Sequence, residues 1–520
     1  MNHILFVAAE GLPFVKTGGL ADVIGSLPEA MTKEKFKASV VMPLYLKIAR
    51  NEHSTLTRLK TFPIEIGKFN TIATVYSRQQ DDVTYYLIEH AGYFEREGYY
   101  GYPDDGERFA FFNHAVLRMI EEKIVEPDVL HSHDWHAGFV SLLSKTVYKN
   151  RVKEMFTIFT IHNLLYQGVF PYEMLESCIG LGNDWYFDGR LRFKHGISFM
   201  KAGIAYSDIV TTVSETYSKE ILTPFFSEGM EDILRLRELD LYGIINGIDM
   251  EAWDPSTDES LTKKYTVKTV DAGKQANKLK IQEDLGLRID ENVMMVAMVS
   301  RLTNQKGVGL LLDAMNDIMG WDIQLVILGT GDKWAEDALR SIEFKYPRRA
   351  VYYCGYNEAL AHRIYAASDV FLMPSIFEPC GISQLIAMRY GSLPVVRETG
   401  GLKDTVKPFN EFTDEGEGFS FASTDVNDFK RVLWYAWDVF TYRKEKLEVL
   451  RNNAMKKDVS WHISAKKYAE IINEKLNAKK VADKVVKTEA KKAKEDKKAS
   501  TVKAKPAAKK AAPKKTTKKE

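Results

Sequence analysis

Short, continuously apolar runs rich in β-branched residues recur along this chain, and helical patterns separate them. In the first half they are Ile4–Ala8, Ser39–Met42, Thr84–Ile88, Val129–Ser132, Phe156–Ile161, Ile209–Val213 and Gly243–Ile245. In the second half they are Val293–Val299, Ile323–Leu328, Ala350–Tyr353, Val370–Met373 and Pro394–Val396. Continuous apolarity, as opposed to alternation, marks strands buried on both faces, as in parallel sheets covered by helices. Between them, Glu107–Lys123, Gly307–Met319, Lys333–Phe344 and Phe429–Phe440 read as amphipathic helices. The alternation predicts an α/β, doubly wound architecture. About a dozen strands is too many for one ordinary open sheet, so two sheets are expected. The boundary is placed after Asn246-Gly247-Ile248-Asp249, before the loop Trp253-Asp254-Pro255-Ser256, with the sheet restarting at Val293. A TIM barrel needs evenly spaced strand–helix units, which the irregular spacing before residue 250 does not offer. Open sheets bind ligands in the cleft at the carboxyl ends of their strands.

Charge divides the chain. Overall it is near neutral, at +1, but residues 479–520 carry 17 Lys against 5 acidic residues, leaving about −11 on residues 1–478. An acidic globular part argues against a nucleic-acid-binding core. The tail contains no aromatic, Leu, Ile, Met or Gly residue, cannot bury enough apolar surface to offset its ordering entropy, and is expected to be disordered. Three widely separated cysteines (Cys178, Cys354, Cys380) cannot staple so long a chain and point to a reducing, cytoplasmic compartment. The N-terminus lacks the basic stretch and long apolar core of a signal peptide. No apolar run approaches the roughly 18 residues that span a bilayer.

Several strand ends carry polar motifs. Lys16-Thr17-Gly18-Gly19-Leu20-Ala21-Asp22-Val23 follows the first strand and opens a helix. Its glycines let the backbone approach an anion, and Lys16 adds a positive charge; a plain turn with a solvated lysine is the competing reading. Arg301 and Lys306, five residues apart across the turn after Val293–Val299, can converge on a diphosphate, although a solvated basic turn fits the same pattern. In Glu378-Pro379-Cys380-Gly381-Ile382-Ser383, Gly381 permits a tight turn whose following N–H groups can meet a phosphate, while Glu378 suits sugar hydroxyls. Cys380 has no base beside it and reads as a packed thiol more readily than as a nucleophile. Gly400-Gly401 makes a further glycine turn after Pro394–Val396. His131-Ser132-His133-Asp134-Trp135-His136 suggests either a metal site or strand-end hydrogen-bonding groups; the HExxH spacing of helical zinc ligands is missing. His162 stands at another strand end. The loop Tyr93-Phe94-Glu95-Arg96-Glu97-Gly98-Tyr99-Tyr100-Gly101-Tyr102 is poor core composition, and Tyr93, Tyr99 and Tyr100 suit either contact with an acceptor sugar or packing of the loop itself.

Taken in order, Lys16–Val23, His131–Gly138, Thr160–Gly168, Ile244–Pro255, Ser300–Gly307, Glu378–Leu385 and Thr399–Val406 resemble the bacterial and plant glycogen (starch) synthase family, retaining glucosyltransferases of the GT-B fold. The resemblance covers nearly all of residues 1–478. It implies two Rossmann-like domains facing a central cleft: 1–247 on the acceptor side and 248–457 on the nucleotide-sugar side. It also implies that 458–478 cross back, with Trp461–Leu476 packed as a last helix on the N-terminal domain. The implied reaction moves glucose from ADP-glucose to the 4-hydroxyl at the non-reducing end of an α-1,4-glucan. Glu378 matches the essential carboxylate, His162 the residue beside the anomeric centre, and Asp134 the strand-end carboxylate near acceptor and sugar. Arg301 and Lys306 are implied to hold the diphosphate, with Lys16, Gly18, Gly19, Asp22, Asn246, Cys380, Gly381, Ile382 and Ser383 lining the substrate site and Tyr356 stacking on the base. No metal or other cofactor is expected. Ser383 stands where many members carry Thr, and the basic tail lies outside the family pattern. UDP-glucose as donor and another retaining GT-B transferase, such as a sucrose or trehalose-phosphate synthase, remain the enzymatic alternatives. A polyanion-binding protein acting through its tail is the non-enzymatic one.

Overall fold

The computed structural model describes residues 1–479 and the isolated positions 512 and 516. The expected disorder and polyanion binding of the tail therefore lie outside the described residues. Twelve strands precede residue 250: β1 (His3–Val7), β2 (Lys37–Pro43), β3 (Thr57–Ile66), β4 (Phe69–Gln80), β5 (Val83–Glu89), β6 (Val129–His133), β7 (Phe156–Ile161), β8 (Val169–Phe170), β9 (Arg192–Phe193), β10 (Gly196–Ser198), β11 (Ile209–Thr212) and β12 (Leu241–Gly243). Six follow: β13 (Met294–Val299), β14 (Ile323–Gly329), β15 (Ala350–Cys354), β16 (Val370–Met373), β17 (Leu393–Arg397) and β18 (Phe419–Phe421).

They form two main open sheets, as the alternating pattern predicts. The first has nine strands in the order β12-β11-β7-β6-β1-β2-β5-β4-β3, and the second has six, β15-β14-β13-β16-β17-β18. The second is parallel throughout. In the first, the antiparallel pairs are β3–β4 and β4–β5, where the hairpin β3–β4 forms one edge. Strands β8–β10 make a small separate sheet. The central strands are buried on both faces: every residue of β1, β6, β7, β14 and β17 is buried. That burial is what continuous apolarity reports.

Both chain paths reverse direction within their sheet. From β1 the chain builds outward through β2 to the hairpin, then returns to place β6 on the other side of β1. From β13 it builds through β14 and β15, then returns to place β16 beside β13. The loops after β1 and β6, and those after β13 and β16, therefore diverge at two switch points, where open α/β sheets form their binding crevices.

Two sequence expectations need correction. The run Gly243–Ile245 does not form the strand; β12 ends at Gly243, because only Leu241–Gly243 pair with β11 before the chain leaves the sheet. The edge hairpin was not expected at all, since β3 exposes seven of its first nine residues and shows no apolar run. After residue 457 the Val459 carbonyl accepts from the Ile248 N–H at 2.9 Å, and Lys467 pairs with Glu215 at 2.5 Å. Residues 461–479 are helical. Among the described residues no helix is long and apolar enough to cross a membrane.

Candidate active site

A cleft of about 920 Å³ opens where the two switch points face each other. The turn after β13 and the loop after β16 are knitted into one unit. Gly307 adopts φ +71°, and a Cβ there would stand 1.9 Å from the Pro374 carbonyl, so only glycine lets the two loops touch. The Ile376 N–H donates to the Gln305 carbonyl at 2.8 Å, and the buried Arg397 guanidinium donates to the carbonyls of Ser375 and Ile376. Within this unit Lys306 Nζ donates to Glu378 Oε2 at 2.6 Å, and the Ser375 hydroxyl donates to the same oxygen at 3.0 Å. The Gly400-Gly401 turn packs under this loop, with the Gly401 N–H 3.2 Å from the Glu378 carbonyl. Arg301 reaches from the other end of its turn, and its Nη1 donates to the Tyr166 hydroxyl of the facing lobe at 3.3 Å.

Opposite, the loop after β1 carries a second paired cation. Lys16 Nζ lies 2.7 Å from Asp22 Oδ1, in the first turn of the helix Gly19–Lys33. Burial opposes the charge on each partner, yet the attraction to Asp22 leaves the Lys16 ammonium above its usual range, aided by Tyr356 and Glu358 across the cleft. Glu10, at the end of β1, accepts from the Thr17 N–H at 2.8 Å and from the Thr17 hydroxyl; burial pushes its carboxyl up. A Cβ on Gly18 or Gly19 would come no nearer than 3.5 Å to any protein atom outside its chain neighbours. The protein itself does not demand glycine there, and the open space on that side belongs to the cleft.

The floor comes from β6 and β7. Asp134 holds φ +55°, an uncommon conformation for a residue other than glycine. Its N–H donates to the Thr160 carbonyl at 3.0 Å, and its Oδ1 accepts the His162 N–H at 2.8 Å. Burial raises the Asp134 carboxyl to about 7, against the bonds from the His162 and Asn163 N–H groups. Burial lowers the His162 ring to about 3, so it is neutral. His131 Nε2 meets the Thr160 hydroxyl at 2.6 Å, while the His136 ring stacks on Trp135 at 4.0 Å. His131 and His136 thus serve different packing sites, and among the described residues no group of His, Cys, Asp or Glu is arranged to hold a metal ion.

The structure brings most of the sequence-identified residues to one surface. Besides those above, Asn246, Tyr356, Cys380, Gly381, Ile382 and Ser383 line the cleft. The Asn246 N–H bonds to the Cys380 thiol, whose burial pushes it up to about 12, which describes an inert group. Tyr356 is 76% exposed and free to receive a flat ring. The tyrosine loop divides. Tyr100 lines the cleft, packing on His136 at 4.7 Å. Tyr93 does not: it stacks on His90 at 4.2 Å and donates to Glu107. Nor does Tyr99, which packs edge-on against Tyr45 and borders a separate 240 Å³ hollow. Glu10, Tyr166, Trp253 and Glu358 also line the cleft and had not been singled out. Glu10 had a readable signal, as the first carboxylate after the first apolar run. Trp253 had none, because its place depends on stacking over His362 at 4.0 Å, far along the chain.

This arrangement accompanies a consistent set of relatives. A family model described as the starch synthase catalytic domain matches residues 3–236, and one described as glycosyl transferases group 1 matches residues 280–456. The glycogen synthase of Desulforamulus reducens is 44% identical over 476 residues, covering 91% of this chain and 98% of that protein. That of Clostridium perfringens is 44% identical over 473 residues, again covering 91% of this chain and 98% of its own length. Among solved structures, the catalytic domain of starch synthase IV from Arabidopsis thaliana, bound to ADP and acarbose, superposes with a TM-score of 0.84 at 31% identity, covering 91% of this chain and 99% of that one. Sucrose-phosphate synthase from Thermosynechococcus elongatus shares the fold at a TM-score of 0.59 and 17% identity. With its two GT-B lobes and its paired cations across one cleft, this chain belongs to the glycogen and starch synthase family of glycosyltransferases.

Proposed function

We propose that the protein transfers glucose from ADP-glucose to the 4-hydroxyl at the non-reducing end of an α-1,4-glucan, with retention at the anomeric carbon. The observation that carries this reading is the Lys306–Glu378 pair, 2.6 Å apart at the second switch point, facing the Lys16 loop across the cleft. Transfer breaks the bond between C1 and the diphosphate oxygen and forms one between C1 and the acceptor O4. Positive charge builds on the sugar and negative charge on the departing diphosphate. Arg301 and Lys306 stabilise the diphosphate, and the backbone N–H groups after Gly381 add to them. Lys16 reaches the same anion from the facing lobe. Glu378 holds sugar hydroxyls and opposes the sugar's charge, with Asp134 and His162 below the reacting carbon. No side chain stands as an evident nucleophile, which favours front-face displacement. The acceptor proton then leaves with the diphosphate oxygen.

Side-chain cations meet the leaving group's charge, so the reading assigns the reaction no metal or other cofactor. Tyr356 stacks on the base. The relative bound to ADP supports adenine there, although uracil could stack on the same ring. The deciding experiment incubates the protein with a glucan primer and labelled ADP-glucose or UDP-glucose. Label entering polymer from ADP-glucose supports the reading, and label staying out of polymer under both donors rejects it. We place the enzyme in the cytoplasm, a reading that its three free cysteines support. The Lys-rich tail is read as an extension separate from catalysis, solubilising ahead of polyanion-binding. Truncation at 478 should preserve glucan synthesis, and a loss of salt-sensitive retention on a polyanion column would support the binding role.

A further inference from the structure

The cleft floor contains a histidine that does not reach the cleft. β6 and β7 run parallel with His133 opposite Thr160, so His131 and His133 fall on one face of the strand, their rings 4.2 Å apart. His133 is fully buried, with Phe6 stacked 6.0 Å from it. Its Nδ1 lies 2.9 Å from Nε2 of His162, whose ring lines the cleft. Its other nitrogen, Nε2, is buried without a partner among the described residues.

Both rings are held neutral by burial, so a single proton occupies the contact between them. Two arrangements satisfy it. If His162 donates from Nε2, His133 must carry its own proton on Nε2, leaving a buried N–H with nothing to accept it. If His133 donates from Nδ1, its Nε2 is a bare acceptor instead. Orphaned buried N–H groups are rarer in proteins than under-used acceptors. The second arrangement leaves His162 with its proton on Nδ1. Among the described residues that atom has no hydrogen-bond partner, which frees it to donate into the cleft.

We propose that His133 is a positioning residue whose Nδ1–H fixes His162 in the Nδ1–H tautomer, so that His162 presents a hydrogen-bond donor to the bound sugar. Stated this way, His162 is a donor to a hydroxyl oxygen and not a proton acceptor for the incoming one. The inference rests on the proposed glucosyl transfer for its kinetic consequence but not for the pairing itself. The Asp134 carboxylate fixes the His162 backbone, and His133 fixes its ring; the two act on different parts of the same residue.

The test uses the full chain. With ring-¹⁵N-labelled histidine, the His162 signals, assigned by their loss in His162→Asn, should show a protonated Nδ1 and a bare Nε2. His133→Asn places an amide N–H near the Nδ1 position, whereas His133→Phe keeps a flat ring without a donor. Phe should lower kcat roughly 10- to 100-fold with little change in KM for the glucan, as misplacement of a contacting group does, and Asn should restore most of it. A wild-type spectrum showing His162 protonated on Nε2 overturns the proposal. So does an Asn variant that folds, by its thermal melt, yet is no faster than Phe. Should Phe fail to fold, the wild-type spectrum and the Asn rate still decide. A wild-type protein that moves no glucose defeats the proposed function alone, since the spectrum reads the tautomer without substrate.

Discussion

Replacing Asp134 by Asn removes a charge from the cleft floor while keeping an acceptor for the His162 N–H, now 2.8 Å from Oδ1. Burial raises the native carboxyl to about 7. In an unfolded chain the group ionises near pH 3.9. Between those values the native protein keeps a proton that the unfolded chain has released. Stability contributed by the neutral group is complete below about pH 4 and lost as pH rises through 7. A wholly closed site loses about 1.4 kcal/mol per pH unit, roughly 4 kcal/mol in all. Asp134 lines the cleft and keeps some contact with solvent, so we take about 2–3 kcal/mol as the expressed part.

Urea unfolding of wild type and Asp134→Asn at matched pH values reads this directly. The variant should gain stability relative to wild type by about 2 kcal/mol between pH 5 and pH 8, because only wild type carries the buried charge at the upper end. The same titration shapes activity. On the proposed mechanism the ionised carboxylate opposes the charge on the reacting sugar, so wild-type transfer should fall below about pH 7, and the variant should be slow with that limb absent. A stability difference that stays constant with pH refutes the assignment of the raised carboxyl to Asp134. A variant as fast as wild type refutes its place beside the reacting sugar.

Lys306→Ala, or Arg301→Ala, should cost about 10²–10³ in kcat by removing charge stabilisation of the leaving diphosphate, measured with saturating donor and primer. Gly307→Ala should destabilise the fold by about 2–4 kcal/mol, read from urea midpoints, since a Cβ at 1.9 Å from the Pro374 carbonyl forces the two loops apart. Added EDTA should leave the transfer rate unchanged; a collapse would reopen the histidine cluster as a metal site.

Much of the fold was legible because its central strands are buried on both faces and so announce themselves by composition. β1, β6, β7, β13 and β14 each coincide with an apolar run to within two residues. The hairpin β3–β4 was illegible for the converse reason. It is the antiparallel edge of the sheet, and its outer strand β3 buries only Phe62 and Ile64, separated by Pro63, so its half-exposed alternation resembles loop sequence. β12 slipped by two residues because Ile244 and Ile245 are apolar for another purpose: the Ile244 N–H still bonds to the Thr212 carbonyl, but the chain is already leaving the sheet.

The site was legible in its parts and not in its pairings. Strand ends and glycine turns identify Lys16, Arg301, Lys306 and Glu378, yet spacing cannot say that Lys306 pairs with Glu378, or Lys16 with Asp22. Those pairings matter to the chemistry. Each cation stands beside a carboxylate at the cleft, Lys306 mostly buried and Lys16 partly exposed. On the proposed reading, a donor that binds Lys306 competes with Glu378 for it, and in doing so frees the carboxylate to take sugar hydroxyls. Binding the anion and arming the carboxylate are, on that reading, one event, which only a complete sugar nucleotide can complete. A free diphosphate would release Glu378 with nothing to hold, and should bind more weakly than the intact donor for that reason.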